Sequence, residues 1–165
     1  MAALIFVQIG LGWTAASWRL SPLKLNLFVW HKSLGVLILA LVALRILWRL
    51  GNPAPGLPAD TPRWERRAAR LSHALLYALM IAMPVTGWIV NSAANVPFSV
   101  FWLVPLPAIV GPSKAVQALA ALAHVTLFVL LALVLAAHIG AALRHHYVKR
   151  NNVLARMLPG KATNP

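Results

Sequence analysis

The sequence predicts an all-α fold, an integral-membrane four-helix bundle, and three observations carry that expectation. Hydrophobic residues make up 61% of the 165 residues and charged residues only 10%, whereas a soluble domain carries about 25% charged residues. Four apolar segments recur along the chain, and the basic residues gather at their ends, as positive-inside topology demands. A net charge of +13 by itself suggests nucleic acid, but this placement excludes that partner and points to membrane lipid instead. A chain of this length makes one domain, so residues 1–165 are read as a single transmembrane domain.

The first segment covers about residues 1–17 and falls short of the roughly 20 residues a spanning helix needs. Nothing basic precedes it, so a signal peptide with its positive n-region fits no better. The expectation is that residues upstream of Met1 are missing. The second segment covers about residues 27–50, the third about 71–94 and the fourth about 116–143, and each is long enough to cross. Pro84 and Gly87 kink the third, which is tolerated where neighbouring helices re-satisfy the backbone.

The linkers set the orientation. Residues 51–70 are rich in Pro and Gly and carry Arg63, Arg66, Arg67 and Arg70, and the tail carries Arg144, Lys149, Arg150, Arg156 and Lys161. The opposite side has Arg19 and Lys24 in one loop and Lys114 in the other. This bias places the 51–70 loop and the C-terminus in the cytoplasm of a bacterium, with the chain multi-pass in its inner membrane. The 95–115 loop, apolar and Pro-rich with Phe98, Phe101 and Trp102, then lies at the outer interface. Asp60 and Glu65 are the chain's two acids. Both are assigned to the cytoplasmic loop, which excludes carboxylate proton relays inside the membrane.

His124 and His138 lie fourteen residues apart in the fourth segment. That spacing advances a helix by roughly 21 Å and returns the side chain to within about 40° of its starting direction. Ionisable groups inside a membrane helix are costly and need partners, so two imidazoles on one face suggest two stacked metal centres. Imidazole is a common axial ligand of haem iron. The chain has no cysteine, which removes disulfides, Cys-ligated iron–sulfur clusters and covalently attached c-type haem. Any haem is therefore held by histidine. His31, near the outer start of the second helix, is level with His124, so the two can clamp one haem. Gly35, one turn on, would let the macrocycle pack closely. His138 needs a partner from the cytoplasmic start of another helix, and His73 lies at about that level. His145 and His146, among basic residues, are interfacial anchors. Arg45 and Arg49 snorkel to the cytoplasmic face, and Trp88 packs inside the bundle.

The order and spacing of several short segments resemble the bacterial cytochrome b561 family. They are His31-Lys32-Ser33-Leu34-Gly35, Arg45-Ile46-Leu47-Trp48-Arg49 followed by Pro53 and Pro55, Ser72-His73-Ala74-Leu75-Leu76-Tyr77, and Pro84-Val85-Thr86-Gly87. His124 and His138 follow, then Arg144-His145-His146-Tyr147, Asn152 and Arg156-Met157-Leu158-Pro159. The resemblance implies two b-type haems: His31 and His124 on the outer one, His138 on the inner one. The inner haem's other ligand is a histidine followed by tryptophan at the start of helix one, and this chain departs from that pattern because no such residue is present. One haem is thus fully ligated in the chain as it stands. A start assigned late, loss of the inner haem, and His73 as substitute ligand remain open.

Haems with both axial positions filled by imidazole move single electrons. The expected function is a transmembrane b-type cytochrome passing electrons between a small periplasmic donor and the membrane quinone pool. Small stand-alone members of the family resemble superoxide oxidases, which implies superoxide as donor, with Lys24, Lys32 and Lys114 steering the anion. Two other readings stand beside it. One is a cytochrome b anchor, partnered with the other subunits of a hydrogenase or dehydrogenase, and the other is a haemless membrane scaffold.

Overall fold

The computed structural model describes residues 1–52 and 61–149. Helices α1 (Ala2–Ser17), α2 (Pro22–Gly51) and α3 (Arg63–Ala93) are followed by two short strands, β1 (Ser99–Val100) and β2 (Val104–Pro105), and by α4 (Lys114–Tyr147). Helices α2, α3 and α4 are long and apolar enough to cross a membrane, whereas α1 has 16 residues. Together they make this a multi-pass membrane protein. Its outward surface agrees: Leu119, Leu122, Val125 and Leu133 of α4 are each at least 60% exposed, as a lipid-facing stripe requires. The chain divides into two compact units, Met1–Pro53 with Tyr77–Phe128, and Ala54–Leu76 with Val129–Pro165.

In the first unit α1 packs along α2. The turn between them is capped at both ends. The Ser21 side chain accepts from the Lys24 backbone N–H at 3.3 Å, ahead of Pro22 at the first helical position, a pairing that suits a helix start. Lys24 Nζ donates to the carbonyls of Trp18 (2.9 Å) and Ala16 (3.4 Å), satisfying the free carbonyls at the end of α1. The loop after α3 is strapped back onto its end. Trp88 Nε1 donates to the Pro107 carbonyl at 2.8 Å and the Ile109 N–H to Ser92 Oγ at 3.3 Å. Trp88 therefore holds a loop rather than packing purely inside the bundle. That loop contains an antiparallel β1–β2 pair. The chain reverses through Phe101 (φ 49°) and Trp102 (φ 62°), a left-handed conformation that non-glycine residues adopt only under constraint. The constraint comes from α2. Buried Ser33 accepts the Phe101 N–H at 2.8 Å, and the Trp30 ring meets those of Phe101 and Trp102 edge-on at 5.7 and 5.5 Å.

In the second unit the structure corrects the sequence reading. Helix α3 begins at Arg63, eight residues before the apolar boundary at 71. Hydropathy marks where a bilayer core begins, while the Ala- and Arg-rich stretch after Pro62 is itself strongly helix-forming. Glu65 is consequently a helical residue and not a loop residue, and it is only 7% exposed. Lys149 Nζ donates to both of its oxygens (2.7 and 2.6 Å), Arg144 donates to Oε1 at 3.1 Å, and His145 Nε2 lies 3.4 Å from Oε2. The carboxylate thus ties the start of α3 to the end of α4, and His145 is part of that tie as well as an interfacial residue. Glu65→Gln is expected to lower the melting temperature of the purified protein by a few degrees, since one neutral oxygen cannot balance three basic neighbours. An unchanged melting curve would show that the cluster is not structural. The positions Pro53, Pro55, Asp60, Arg150, Asn152, Arg156, Pro159 and Lys161, singled out above, lie outside the described residues.

Candidate functional site

In the first unit the rings of His31 (α2) and His124 (α4) face each other with centres 6.3 Å apart and planes at 80°. Two imidazoles on opposite sides of one iron, each with a metal–nitrogen bond of about 2 Å and about 1.2 Å from that nitrogen to the ring centre, would have centres roughly 6.4 Å apart. The observed separation fits that arrangement.

The orientation of each ring is equally specific. His31 Nδ1 lies 3.2 Å from the backbone carbonyl of Gln8. A carbonyl only accepts, so Nδ1 carries the proton and Nε2 presents its lone pair. Gln8 also grips the backbone of the same residue, its Nε2 donating to the His31 carbonyl at 2.7 Å. His124 Nδ1 lies 3.0 Å from Thr86 Oγ1. The Thr86 hydroxyl itself donates to the Ala82 and Met83 carbonyls, both at 2.9 Å, in the stretch of α3 that contains the helix-interior Pro84. With that hydrogen committed, Thr86 accepts from His124 Nδ1–H, and Nε2 of His124 is again the free lone pair. A histidine held through Nδ1 and open at Nε2 is the usual form of a metal-ligating imidazole.

Two glycines make room for these rings. A Cβ at Gly12 of α1 would lie 2.7 Å from His31 Cε1, and one at Gly87 of α3 would lie 3.3 Å from His124 Cε1. At Gly35 a Cβ would meet Gln8 Nε2 at 3.3 Å. The absent side chain at Gly35 accommodates α1, and Gly12 and Gly87 relieve crowding at the imidazoles.

In the second unit His138 (α4) and His73 (α3) are brought together, with ring centres 5.2 Å apart and planes at 62°. Ser72 Oγ lies 3.1 Å from His138 Nδ1, the same type of contact that Thr86 makes with His124. His138 is half-buried and His73 exposed. The separation is about 1 Å shorter than two imidazoles on one iron need, so this pair would have to part to share a metal. Two further basic side chains are engaged. Arg45 Nε donates to the Tyr77 hydroxyl at 2.9 Å, and Lys32 Nζ to Asn91 Oδ1 at 2.6 Å. Gln8, Gly12 and Asn91 were not distinguished by the sequence reading, and Ser72 and Thr86 entered it only as members of quoted motifs. A lone Gln in an apolar helix was the one available signal.

Membrane-crossing helices that pair imidazoles, with an oxygen close to Nδ1 of His31, His124 and His138, define a class: a multi-pass helical membrane protein suited to holding a histidine-ligated cofactor. Comparison with known proteins narrows the class. The prokaryotic cytochrome b561 family model matches residues 1–160, and the chain belongs to that family. It is 35% identical over 135 residues to cytochrome b561 homolog 2 of Escherichia coli (strain K12), covering 81% of this chain and 71% of the relative. It is 30% identical over 129 residues to cytochrome b561 homolog 1 of the same organism, covering 78% and 73%. It is 32% identical over 131 residues to a protein of Yersinia pestis named a probable superoxide oxidase, CybB, covering 79% and 74%. Membership implies b-type haem and electron transfer in a membrane.

Proposed function

We propose that this protein carries single electrons across the bacterial inner membrane, from a small periplasmic donor to the quinone pool, with its C-terminus in the cytoplasm. His31 and His124 hold one b-type haem, and His138 supplies a ligand to a second; His73 is its neighbour rather than its partner. The observation that carries this reading is the His31–His124 pair, whose separation suits two imidazoles on one iron. His31 and His124 would hold a b-type haem there, and that group would supply one-electron transfer.

The protein's own residues orient and insulate. Gln8 and Thr86 hold Nδ1 of the two ligands, fixing which nitrogen is presented and raising its basicity. Superoxide suits the donor role: losing one electron converts it to dioxygen, and two such electrons with two protons reduce a quinone to the quinol. The name of the Yersinia pestis relative supports that choice. The charges of Lys24, Lys32 and Lys114 steer an anionic donor, even though Lys24 and Lys32 also hold hydrogen bonds.

The test is quinone reduction by the purified haem-loaded protein under a steady superoxide source, together with a reduced-minus-oxidised spectrum. A b-type spectrum and superoxide-driven quinol formation are expected. Changing Lys24, Lys32 and Lys114 to Gln slows the rate several-fold at low salt and less at high salt. Haem without superoxide-dependent reduction would overturn the donor assignment, and no haem would end the cytochrome reading.

A further inference from the structure

Arg63, Arg66, Arg67 and Arg70 occupy one face of the first two turns of α3 and together line an open concavity of about 320 Å³. Their spacing of three, four and seven residues is what stacks side chains along one helical stripe. Arg70 Nε reaches back to the Arg66 carbonyl at 3.4 Å, which holds its guanidinium along the stripe. Among the described residues no carboxylate pairs with any of the four. Glu65, the acid in the same turn, is committed to Arg144, Lys149 and His145. Among the described residues the stripe is therefore a concentrated positive surface of planar donors, the chemistry that recognises phosphate.

Its level in the bilayer identifies the source of that phosphate. Helix α3 has 31 residues, about 46 Å of helix against a hydrocarbon core of about 30 Å. About ten residues must lie outside the core, and the apolar run begins only at Leu71. The four arginines thus fall at headgroup depth. Trp64 and Leu71, 64% and 62% exposed, bracket the stripe as an interfacial anchor and the first lipid-facing residue. We infer that this stripe is a binding site for the phosphate headgroup of an anionic phospholipid.

The test uses the purified, haem-loaded protein in neutral detergent. Thermal stability and retained lipid, measured by native mass spectrometry, are compared on adding phosphatidylglycerol, phosphatidylcholine of the same acyl chains, or inorganic phosphate. Phosphatidylglycerol is expected to stay bound and raise the melting temperature, and the other two are not. Each arginine near an anionic surface contributes about fivefold in affinity, so the Arg66→Gln/Arg67→Gln variant is expected to bind phosphatidylglycerol about 25-fold more weakly. Arg66→Lys/Arg67→Lys keeps the charge that directs insertion but loses the two-pronged geometry, and is expected to bind several-fold more weakly. Equal binding of phosphatidylcholine overturns the inference, as does inorganic phosphate reproducing the full shift. If the Gln variant does not insert, unchanged affinity in the Lys variant overturns it.

Discussion

Replacing His124 with alanine is expected to remove one b-type haem from the protein and to abolish superoxide-driven quinone reduction. On the proposed assignment, His31 alone would leave the haem one protein ligand short, and the Nδ1–H donated to Thr86 disappears with the ring. The measurement is a pyridine haemochrome assay of haem per protein, with a reduced-minus-oxidised spectrum. The expected fall is one haem per chain, accompanied by a lower melting temperature, because a cofactor bound only by the folded state stabilises it. His124→Ala also opens a cavity costing roughly 1–3 kcal/mol, so destabilisation alone does not identify a ligand. The haem count does: a variant that inserts and keeps the parent's haem content and spectrum would remove His124 from the ligand set.

Substituting Gly12 with valine is expected to lower haem occupancy of the same site below half, without touching either ligand. Even the first added carbon would lie 2.7 Å from His31 Cε1, closer than real contacts allow, and valine adds two methyl groups. A free imidazole could swing aside. An imidazole held by the Gln8 carbonyl on one nitrogen and, as proposed, by iron on the other could not, so the cost would fall on the metal bond or on the α1–α2 packing. Electron paramagnetic resonance of the oxidised protein distinguishes these outcomes, since a tilted ligand shifts the low-spin signal before haem is lost. Full occupancy with an unaltered signal would show that His31 is not held as described.

Both predictions rest on residues that one-dimensional patterns leave indistinct. The four apolar segments, the basic flanks and the histidine spacing were legible, because bilayer thickness and helical periodicity act along the chain. Helix ends were less legible. The Arg-rich turns of α3 fall below any hydropathy threshold yet have strong helix propensity, so Arg63–Arg70 was read as linker. Glu65 was misplaced with them. Its three basic neighbours lie at least 79 residues away, beyond any local signal.

The sequence by itself determined that this protein is a helical membrane protein, and it named the histidines whose side chains need partners. It did so because burying charge in lipid is costly enough to constrain composition directly. Only the tertiary structure decided that His31 meets His124 at 6.3 Å while His73 meets His138 at 5.2 Å. It alone decided that Gln8 and Thr86 orient the first pair, and that Gly12 makes room for an imidazole. Those choices depend on which helix faces meet and how closely. A hydrogen bond or a steric clash changes over a few tenths of an ångström, and sequence spacing does not resolve that scale.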